Sequence, residues 1–381
     1  MHEENQELDR RDFMKKGAWA TAAAAATVLG GNAVQGAVPD DKTIAFTDVL
    51  PTRELGKTKV ELPILGYGGA ALMKRAGNPR SFEDRVKLVR HAYDAGIRYF
   101  DTSINYSDSQ AVIGEALKGV RDNVFITTKV DFWNRSRPNG RIVKVDRAGV
   151  ARQVEKNLAE LQSDYIDAIL IHGTPGVQQM TVEQCMEVHG ELAKARDKGL
   201  VRFVGFSAHS YFGKALALIN SGGFDLCMLA YGFIPRGHNQ VFSSRMLELR
   251  EACVAKAHEQ GMGLVAMKVI GAGMLGARSG YVVPGFDAKR RAQLPGAAIR
   301  YVLDDDRFQH LVIGMRTRSD LEANLETFSG DVTCTREDRA LLAEFGAEVM
   351  KSDAVHRFYQ VSGLIIVALG ALWALGVIWL D

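Results

Sequence analysis

Four side chains with complementary chemistry stand at or just after the ends of apolar runs. Asp101 closes one run, Tyr106 follows it, Lys129 closes the next run, and His172 directly follows the one after that. A tyrosine with its ordinary pKa near 10 is a poor acid at neutral pH, and a neighbouring ammonium lowers that pKa by favouring the phenolate. An aspartate would orient the ammonium, and a histidine would hydrogen-bond a substrate carbonyl. The set predicts an acid that protonates a carbonyl oxygen while a hydride reaches the carbon.

The same residues also have a structural interpretation. Asp101 and Lys129 would form a buried ion pair, and His172 would be a hydrogen-bonded core histidine. A charge that directly abuts an apolar run is costly unless it is paired. For any one residue the structural interpretation is favoured, but four such residues at matching strand ends favour catalysis.

The elements that would position these side chains alternate regularly. Apolar runs predict eight strands, at residues 64–66, 99–101, 124–128, 166–171, 203–206, 228–231, 264–267 and 311–313. Helical patterns between them include residues 82–95, 146–161, 182–197 and 246–260. Eight strand–helix units predict a parallel (β/α)8 barrel over residues 53–335, whose chemistry sits at the carboxyl ends of the strands. An open doubly wound sheet is the alternative, but its Gly-rich turn is only weakly imitated by residues 65–69.

Short segments flank the predicted barrel. Residues 38–52 are a linker, and residues 53–58 resemble a hairpin that would cap the barrel floor. Residues 336–357 are a C-terminal helix and linker, with the helix itself placed at 337–352.

The N-terminal segment has the pattern of an export signal. Arg10 and Arg11 precede Phe13, and an Ala-rich apolar run follows from 17 to 30. The pair and its surroundings closely resemble a twin-arginine signal, which predicts that residues 1–37 engage the twin-arginine export machinery. Ala37 offers only a poor cleavage site, so both cleavage and retention of the segment stay open.

The C-terminal segment is uncharged and mostly apolar from 361 to 380. At about 1.5 Å per residue it is long enough for the ~30 Å hydrocarbon core of a bilayer. We therefore expect a transmembrane helix at 358–380 and a protein in the cell membrane, with its folded domain on the exported side. A buried core helix is the alternative, but it would show a polar face.

Composition excludes several other classes of protein. The chain has 381 residues, is 47% hydrophobic and carries a formal charge of +2, which argues against wholesale disorder and against a nucleic-acid binder. Its four cysteines lack the close spacing of metal ligands, so we expect no metal site. A disulfide between Cys227 and Cys253 is left open.

Several segments together make the chain similar to the aldo/keto reductase superfamily over roughly residues 50–330. These are residues 96–102, 105–106, 126–129, 163–167 leading to His172, 205–207, 312–314 and 322–324. The resemblance implies a barrel that binds NADP(H), with NAD(H) as the alternative, and that reduces a small carbonyl substrate. It also implies a catalytic tetrad of Asp101, Tyr106, Lys129 and His172.

The resemblance implies a cofactor site as well, although with departures from the family pattern. The positions carried over are Ser207, His209, Tyr231, Met267, Lys268, Gly271, Gly314, Arg316, Thr317, Arg318, Asp320 and Asn324. Tyr231 would stack on the nicotinamide, the amides of the loop that begins at Gly271 would approach phosphate, and the arginines would hold a 2′-phosphate. Ala208 stands where the family usually has Asn, and Met228 where it often has Gln.

These departures keep a second function open. It is a nucleotide-binding or regulatory module on the reductase scaffold, with little turnover. A sugar-handling barrel is weaker, because no second strand-end carboxylate accompanies Asp101. An exported reductase also lacks an obvious supply of NADPH, which implies either a redox partner or turnover that differs from the family norm.

Overall fold

The computed structural model describes residues 44–45, 50–74, 78–132, 144–235 and 242–351. The predicted export signal at 1–37 and the predicted span at 358–380 lie outside these residues. Within the described ranges, no helix combines the length and the apolar character needed to cross a bilayer.

Eight parallel strands close into a barrel, as the alternating pattern predicts. A separate antiparallel pair, β1 (Thr52–Glu54) and β2 (Glu61–Pro63), precedes the barrel. The barrel strands are β3 (Leu65–Gly68), β4 (Tyr99–Asp101), β5 (Phe125–Val130), β6 (Ile166–Ile171), β7 (Val201–Ala208), β8 (Leu226–Ala230), β9 (Gly263–Met267) and β10 (His310–Ile313). Their order around the barrel is β10-β3-β4-β5-β6-β7-β8-β9. The (β/α)8 prediction is confirmed, and each strand overlaps its predicted run.

Helices cover the outside of the barrel. They are α1 (Phe82–Asp94), α2 (Ser109–Ala116), α3 (Arg147–Leu161), α4 (Val182–Asp197), α5 (Phe212–Asn220), α6 (Ser244–Glu259), α7 (Ser279–Val282), α8 (Ala288–Leu303), α9 (Arg318–Glu326) and α10 (Arg336–Lys351). Local sequence fixes many of their ends. Thr181 and Gln184 form a capping box at the start of α4. Gly96, Gly199 and Gly261 have positive φ just after helices, as their positions predict.

The register of the strands determines which side chains point into the barrel. Gly68 pairs with Asp101, and Asp101 pairs with Thr127. Paired residues in a sheet share a face, and so do residues two apart along a strand. Lys129 therefore joins Asp101 on the inner face.

Lower in the barrel, the same inner face is filled by stacked rings. The ring of Tyr99 lies 5.4 Å from that of Phe125 and 6.1 Å from that of His310. Phe125 in turn stacks on Phe203 at 6.2 Å. The interior is thus a packed core, and the polar residues occupy only its mouth.

The β1–β2 hairpin seals the floor, as the sequence predicts. The backbone amide of Lys57 donates to the carbonyl of Gly261 at 2.6 Å, just before β9 begins. A Cβ at Gly56 would lie 2.5 Å from the amide nitrogen of Gly263, and φ at Gly56 is +50°. Glycine is required here because the turn is left-handed and two backbones approach closely.

The C-terminal helix α10 packs along α8 in the opposite direction. Arg300, near the end of α8, pairs with Asp338 at the start of α10 at 2.5 Å. Arg290, near the start of α8, pairs with Glu344 late in α10, also at 2.5 Å. Because α8 descends from the mouth of the barrel to its floor, α10 must rise from the floor and end at Lys351, on the mouth side.

All four cysteines of the chain are free and buried. Cys227 and Cys253, which the sequence left open as a pair, are therefore separate thiols in this structure. The Sγ of Cys253 donates to the carbonyl of Phe212 at 3.2 Å.

Candidate active site

Asp101 and Lys129 form a buried ion pair at the mouth of the barrel. Lys129 Nζ lies 2.5 Å from Asp101 Oδ1 and donates a second hydrogen bond to the carbonyl of Thr102 at 2.6 Å. Burial raises the pKa of Asp101 and lowers that of Lys129, while the attraction between the two charges opposes both shifts. The pair that the sequence predicts is thus present and desolvated.

Tyr106 and His172 complete the predicted group. Lys129 Nζ lies 5.0 Å from the centroid of the Tyr106 ring. The ring of His172 meets the Tyr106 ring edge-on, with centroids 5.7 Å apart and planes at 77°. The structure therefore brings all four predicted catalytic side chains to one place.

The pKa of Tyr106 differs from the sequence-based expectation. Burial raises it above its ordinary value, and the carboxylates of Asp101 and Asp131 raise it further. These effects outweigh the lowering that was expected from Lys129. Tyr106 therefore holds its proton firmly at neutral pH.

The ion pair of Arg85 and Asp108, which was not predicted from the sequence, holds the loop that carries Tyr106. Arg85, fully buried on α1, donates two hydrogen bonds to the carboxylate of Asp108, at 2.7 and 2.6 Å. Arg85 also donates to the carbonyl of Leu72 at 2.8 Å. A signal for this pair existed, since Arg85 interrupts the apolar face of α1 four positions before Val89.

The turn after β4 is fixed by a second set of contacts. Ser109 Oγ donates to the carbonyl of Gly69 at 3.0 Å and lies 2.9 Å from Thr102 Oγ1. The amide of Ser109 donates to the carbonyl of Tyr106, also at 3.0 Å. These bonds leave the Tyr106 loop little freedom next to the ion pair.

His172 and Ser207 are joined through Gly173. The amide of Gly173 donates to Ser207 Oγ at 2.8 Å, and the amide of His172 donates to the carbonyl of Val130 at 3.1 Å. Ser207 pairs in register with Met228, so both point inward. His209 is buried just beyond β7. The structure thus brings Ser207 to the inner face of the mouth, as predicted for a cofactor contact.

The structure contradicts the stacking role of Tyr231. Its hydroxyl donates to Asp305 Oδ2 at 2.7 Å, and its ring lies 4.4 Å from that of Phe308. The guanidinium of Arg250 on α6 covers the same ring at 4.5 Å. Side chains alternate along a strand, so a residue three positions after the inward Met228 must face the helices.

The loop after β9 has a different hydrogen-bond pattern from the predicted one. Met267 is buried and inward, and Lys268 and Gly271 both have positive φ. The amide of Gly271 donates to the carbonyl of Lys268 at 2.8 Å, and that of Gly273 donates to the carbonyl of Ile270 at 3.0 Å. These two amides hold the loop in shape, and the phosphate contact of the loop stays a prediction.

The loop after β10 places basic groups at the start of α9. Gly314 packs closely against Ala71, where an added Cβ would lie 3.0 Å from the Ala71 Cβ. The exposed Arg318 donates to Glu322 at 2.8 Å on the same helix, and Arg316 is half-buried. Both arginines thus stand near the mouth, as predicted.

Asp320 has a structural role where a cofactor contact was predicted. Its carboxylate accepts from the amide of Arg316 at 2.8 Å and from that of Thr317 at 3.0 Å. Thr317 Oγ1 accepts from the amide of Asp320 in return, which forms a capping box. Asn324 is buried one turn further along α9. Asp320 therefore shapes the helix terminus.

No cluster of three or more His, Cys, Asp or Glu side chains that could hold a metal ion occurs in the described ranges.

Comparisons with known proteins agree with this geometry. The family model described as "Aldo/keto reductase family" matches residues 64–345. L-galactose dehydrogenase of Arabidopsis thaliana is 25% identical over 319 residues, which cover 76% of this chain and 93% of that protein. Aldo-keto reductase YhdN of Bacillus subtilis is 30% identical over 161 residues, 41% of this chain and 46% of that protein.

A third relative, from Glycine max, is named "Probable aldo-keto reductase 1" and is 26% identical over 229 residues, which cover 59% of this chain and 61% of that protein. The match thus spans less than two thirds of the Glycine max and Bacillus subtilis relatives.

Solved structures with low sequence identity share the fold. The holo form of aldo-keto reductase AKR11C1 from Bacillus halodurans superposes with a TM-score of 0.61 at 19% identity, covering 78% of this chain and 96% of that one. An aldo-keto reductase from Klebsiella pneumoniae in complex with NADPH gives a TM-score of 0.57 at 19% identity, covering 77% and 94%. At these identities the likeness establishes the barrel.

Proposed function

The chain belongs to the aldo/keto reductase family, and on that premise we propose that it is an NADP(H)-dependent oxidoreductase that reduces aldehydes or ketones. The observation that carries this proposal is the buried pair of Lys129 Nζ and Asp101 Oδ1 at 2.5 Å, with the rings of Tyr106 and His172 beside it. An ion pair with only a structural role would not require a tyrosine and a histidine beside it.

The residues at the mouth fit a nicotinamide dinucleotide phosphate. Ser207 Oγ accepts from Gly173, so its hydroxyl proton is available for an amide oxygen. Arg316 and Arg318 offer guanidinium groups, which bind phosphate by paired hydrogen bonds. The NADPH complex of the Klebsiella pneumoniae reductase supports this choice of cofactor. Tyr231 takes no part in the fit.

The proposed roles follow from the geometry. The reduced nicotinamide, when bound, supplies the hydride. Tyr106 gives its hydroxyl proton to the carbonyl oxygen, and His172 orients that oxygen. Lys129 stabilises the phenolate that is left behind, because its ammonium lies 5.0 Å from the ring. Asp101 holds Lys129 in position, and burial, which raises the pKa of Tyr106, keeps its hydroxyl protonated before the transfer.

The first experiment measures nucleotide binding and turnover separately. The protein is titrated with NADPH and NADH by fluorescence and then assayed with a panel of aldehydes and ketones. We expect NADPH binding and carbonyl-dependent NADPH oxidation. A protein that binds neither nucleotide would overturn the proposal.

A second candidate function, a nucleotide-binding module with little turnover, is favoured by one observation. Tyr231 packs against Phe308 and Arg250 on the outside of the barrel, so it leaves the nicotinamide face uncovered. This candidate predicts nucleotide binding without carbonyl reduction across the panel.

We also propose that residues 1–37 direct export through the twin-arginine machinery and that residues 358–380 anchor the protein in the membrane. The support is the sequence alone: the Arg10-Arg11 pair before an apolar run, and the uncharged segment 361–380. Flotation with membranes, compared with a chain that ends at residue 357, tests the anchor.

A further inference from the structure

The end of α10 lies at the mouth of the barrel. The ring of Phe345, late in α10, meets Phe286 of the loop after β9 at 5.1 Å. A Cβ at Gly346 would lie 3.3 Å from the ring of Phe233, which follows the carboxyl end of β8. The chain therefore leaves the described domain at Lys351 beside two mouth loops.

The proposed membrane span begins close to this point. Residues 352–357 separate Lys351 from the proposed span at 358–380. A fully extended chain of this length reaches at most about 25 Å. A tether this short favours an orientation in which the side of the barrel that carries Lys351 lies nearer the bilayer.

The mouth loop beside α10 has the charge expected at an anionic lipid surface. Residues 260–289 contain three basic residues, Lys268, Arg278 and Lys289, and a single acidic one, Asp287. Arg278 and Lys289 are exposed. Basic side chains near an anionic bilayer are attracted to it.

Exposed aromatic side chains mark the same side. In the described part of the chain two large apolar side chains are exposed: Tyr281 at 81% and Tyr211 at 43%. Tyr281 lies in the β9–α8 loop, and Tyr211 follows β7, so both are on the mouth side. Tyrosine is favoured at membrane interfaces, because its ring is apolar and its hydroxyl stays hydrated.

The floor has a different surface. It carries the exposed residues Lys57, Lys59 and Glu61, and Lys59 pairs with Glu54 at 2.8 Å. Mixed charges that pair with one another give little attraction to an anionic surface.

We infer that the mouth of the barrel faces the membrane, with the loop at residues 268–287 in contact with anionic lipid headgroups. The active site then opens toward the bilayer, and its substrate class is carbonyl compounds that partition into membranes. This inference rests on the proposed anchor and, for the substrate class, on the proposed reductase activity.

The test compares two positions at opposite ends of the barrel in the full-length protein. Tyr281→Cys places a label on the mouth loop, and Lys57→Cys places the same label on the floor. The native cysteines are buried, so they compete little for the label. Each bimane-labelled protein is reconstituted into nanodiscs of phosphatidylcholine, with or without phosphatidylserine, that carry nitroxide-labelled headgroups.

We expect lipid nitroxide to quench the label at position 281 several-fold more strongly than the label at position 57. Equal quenching at the two positions, or stronger quenching at position 57, would overturn the orientation. Protein that does not co-elute with the discs would overturn the anchor, and this inference with it. If the reconstituted protein shows the expected quenching but no carbonyl turnover, the reductase proposal and the substrate class are overturned, and the orientation stands.

A charge-reversal pair tests the role of lipid charge. Arg278→Glu combined with Lys289→Glu removes the basic side chains, and Lys57→Glu is the matched control on the floor. In phosphatidylserine discs the double variant is expected to lose the extra quenching at position 281, while the control keeps it. Unchanged quenching in the double variant would contradict the headgroup contact.

Discussion

Lys129 Nζ lies 2.5 Å from Asp101 Oδ1, and both side chains are almost completely buried. Each of the two buried charges therefore depends on the other for its stability. A buried pair often contributes little net stability compared with an apolar replacement, whereas a single buried charge without its partner is costly.

Removing one partner should destabilise the protein more than removing both. Lys129→Met leaves Asp101 buried without a counter-ion, and we expect the free energy of unfolding to fall by about 3–5 kcal/mol. Lys129→Met combined with Asp101→Asn should recover most of that loss, because no charge remains. Both variants should lose carbonyl turnover. Denaturation curves followed by circular dichroism, with turnover assays in parallel, measure these effects.

Tyr106→Phe should abolish chemistry and spare the cofactor. Loss of a proton donor typically costs about 10²–10⁴ in rate. We expect turnover to fall within that range while NADPH affinity stays close to that of the native protein. Tyr93→Phe, on the outer helix α1, is the matched control and should keep full activity. An active Tyr106→Phe protein would contradict the assignment of the acid.

Asp108→Asn should act through the position of Tyr106. The Arg85–Asp108 hydrogen bonds hold the Tyr106 loop. We expect kcat to fall by about tenfold, since misplacement by even 1 Å is costly, with little change in the Kd of NADPH. Asp164→Asn, at an exposed position on a different loop, is the control. Equal losses in the two variants would argue against a positioning role.

Stability should decrease as the pH falls from 6.5 to 4. Burial lowers the pKa of His310 from 6.5 to about 4. Above pH 6.5 this histidine is neutral in both states and costs nothing. Between the two values the unfolded chain takes up a proton that the native chain does not, so stability falls by about 3 kcal/mol in all.

His310→Gln separates this effect from other titrations. The glutamine still offers a donor for the carbonyl of Leu62, which His310 Nε2 contacts at 3.0 Å, but it does not titrate. The free energy of unfolding, measured at several pH values, should depend less on pH in this variant.

The four thiols should be unreactive in the native protein. Burial raises the pKa of Cys185 and of Cys253 to about 12, and it raises that of Cys227 as well. Ellman's reagent should react slowly with the native protein. After denaturation it should react readily with all four thiols. The exposed thiol of Tyr281→Cys should react rapidly under native conditions. A fast-reacting native thiol would contradict the burial described here.

Features that depend on regular repetition could be predicted from the sequence. Buried strands such as β6 are continuous apolar runs, and helices such as α4 carry their own capping residues, so both could be placed correctly. The catalytic residues followed from the barrel, because the carboxyl ends of its strands converge. The proximity of Asp101 and Lys129 could thus be predicted from the order of the strands alone.

Side-chain direction beyond the strand ends could not be predicted in the same way. The resemblance to the family implied a stacking role for Tyr231, but its ring packs against Phe308 and Arg250 on the outside of the barrel. The amide of Gly271 is occupied by the carbonyl of Lys268, a contact within the loop that no periodic pattern indicates. The Arg85–Asp108 pair joins two loops and a helix, and its partners are far apart in sequence.

The sealed floor has a consequence for the order of folding. The hairpin that contains Gly56 is made early, but the surface it needs, around Gly263, is made late. The barrel also closes through the pairing of β3 with β10, which joins its first strand to its last. A nascent chain therefore cannot seal the floor before Gly263 has left the ribosome, and it cannot close the barrel before β10 has followed. Contacts between such distant segments slow folding, so the incomplete barrel depends on protection from aggregation for the duration of its synthesis.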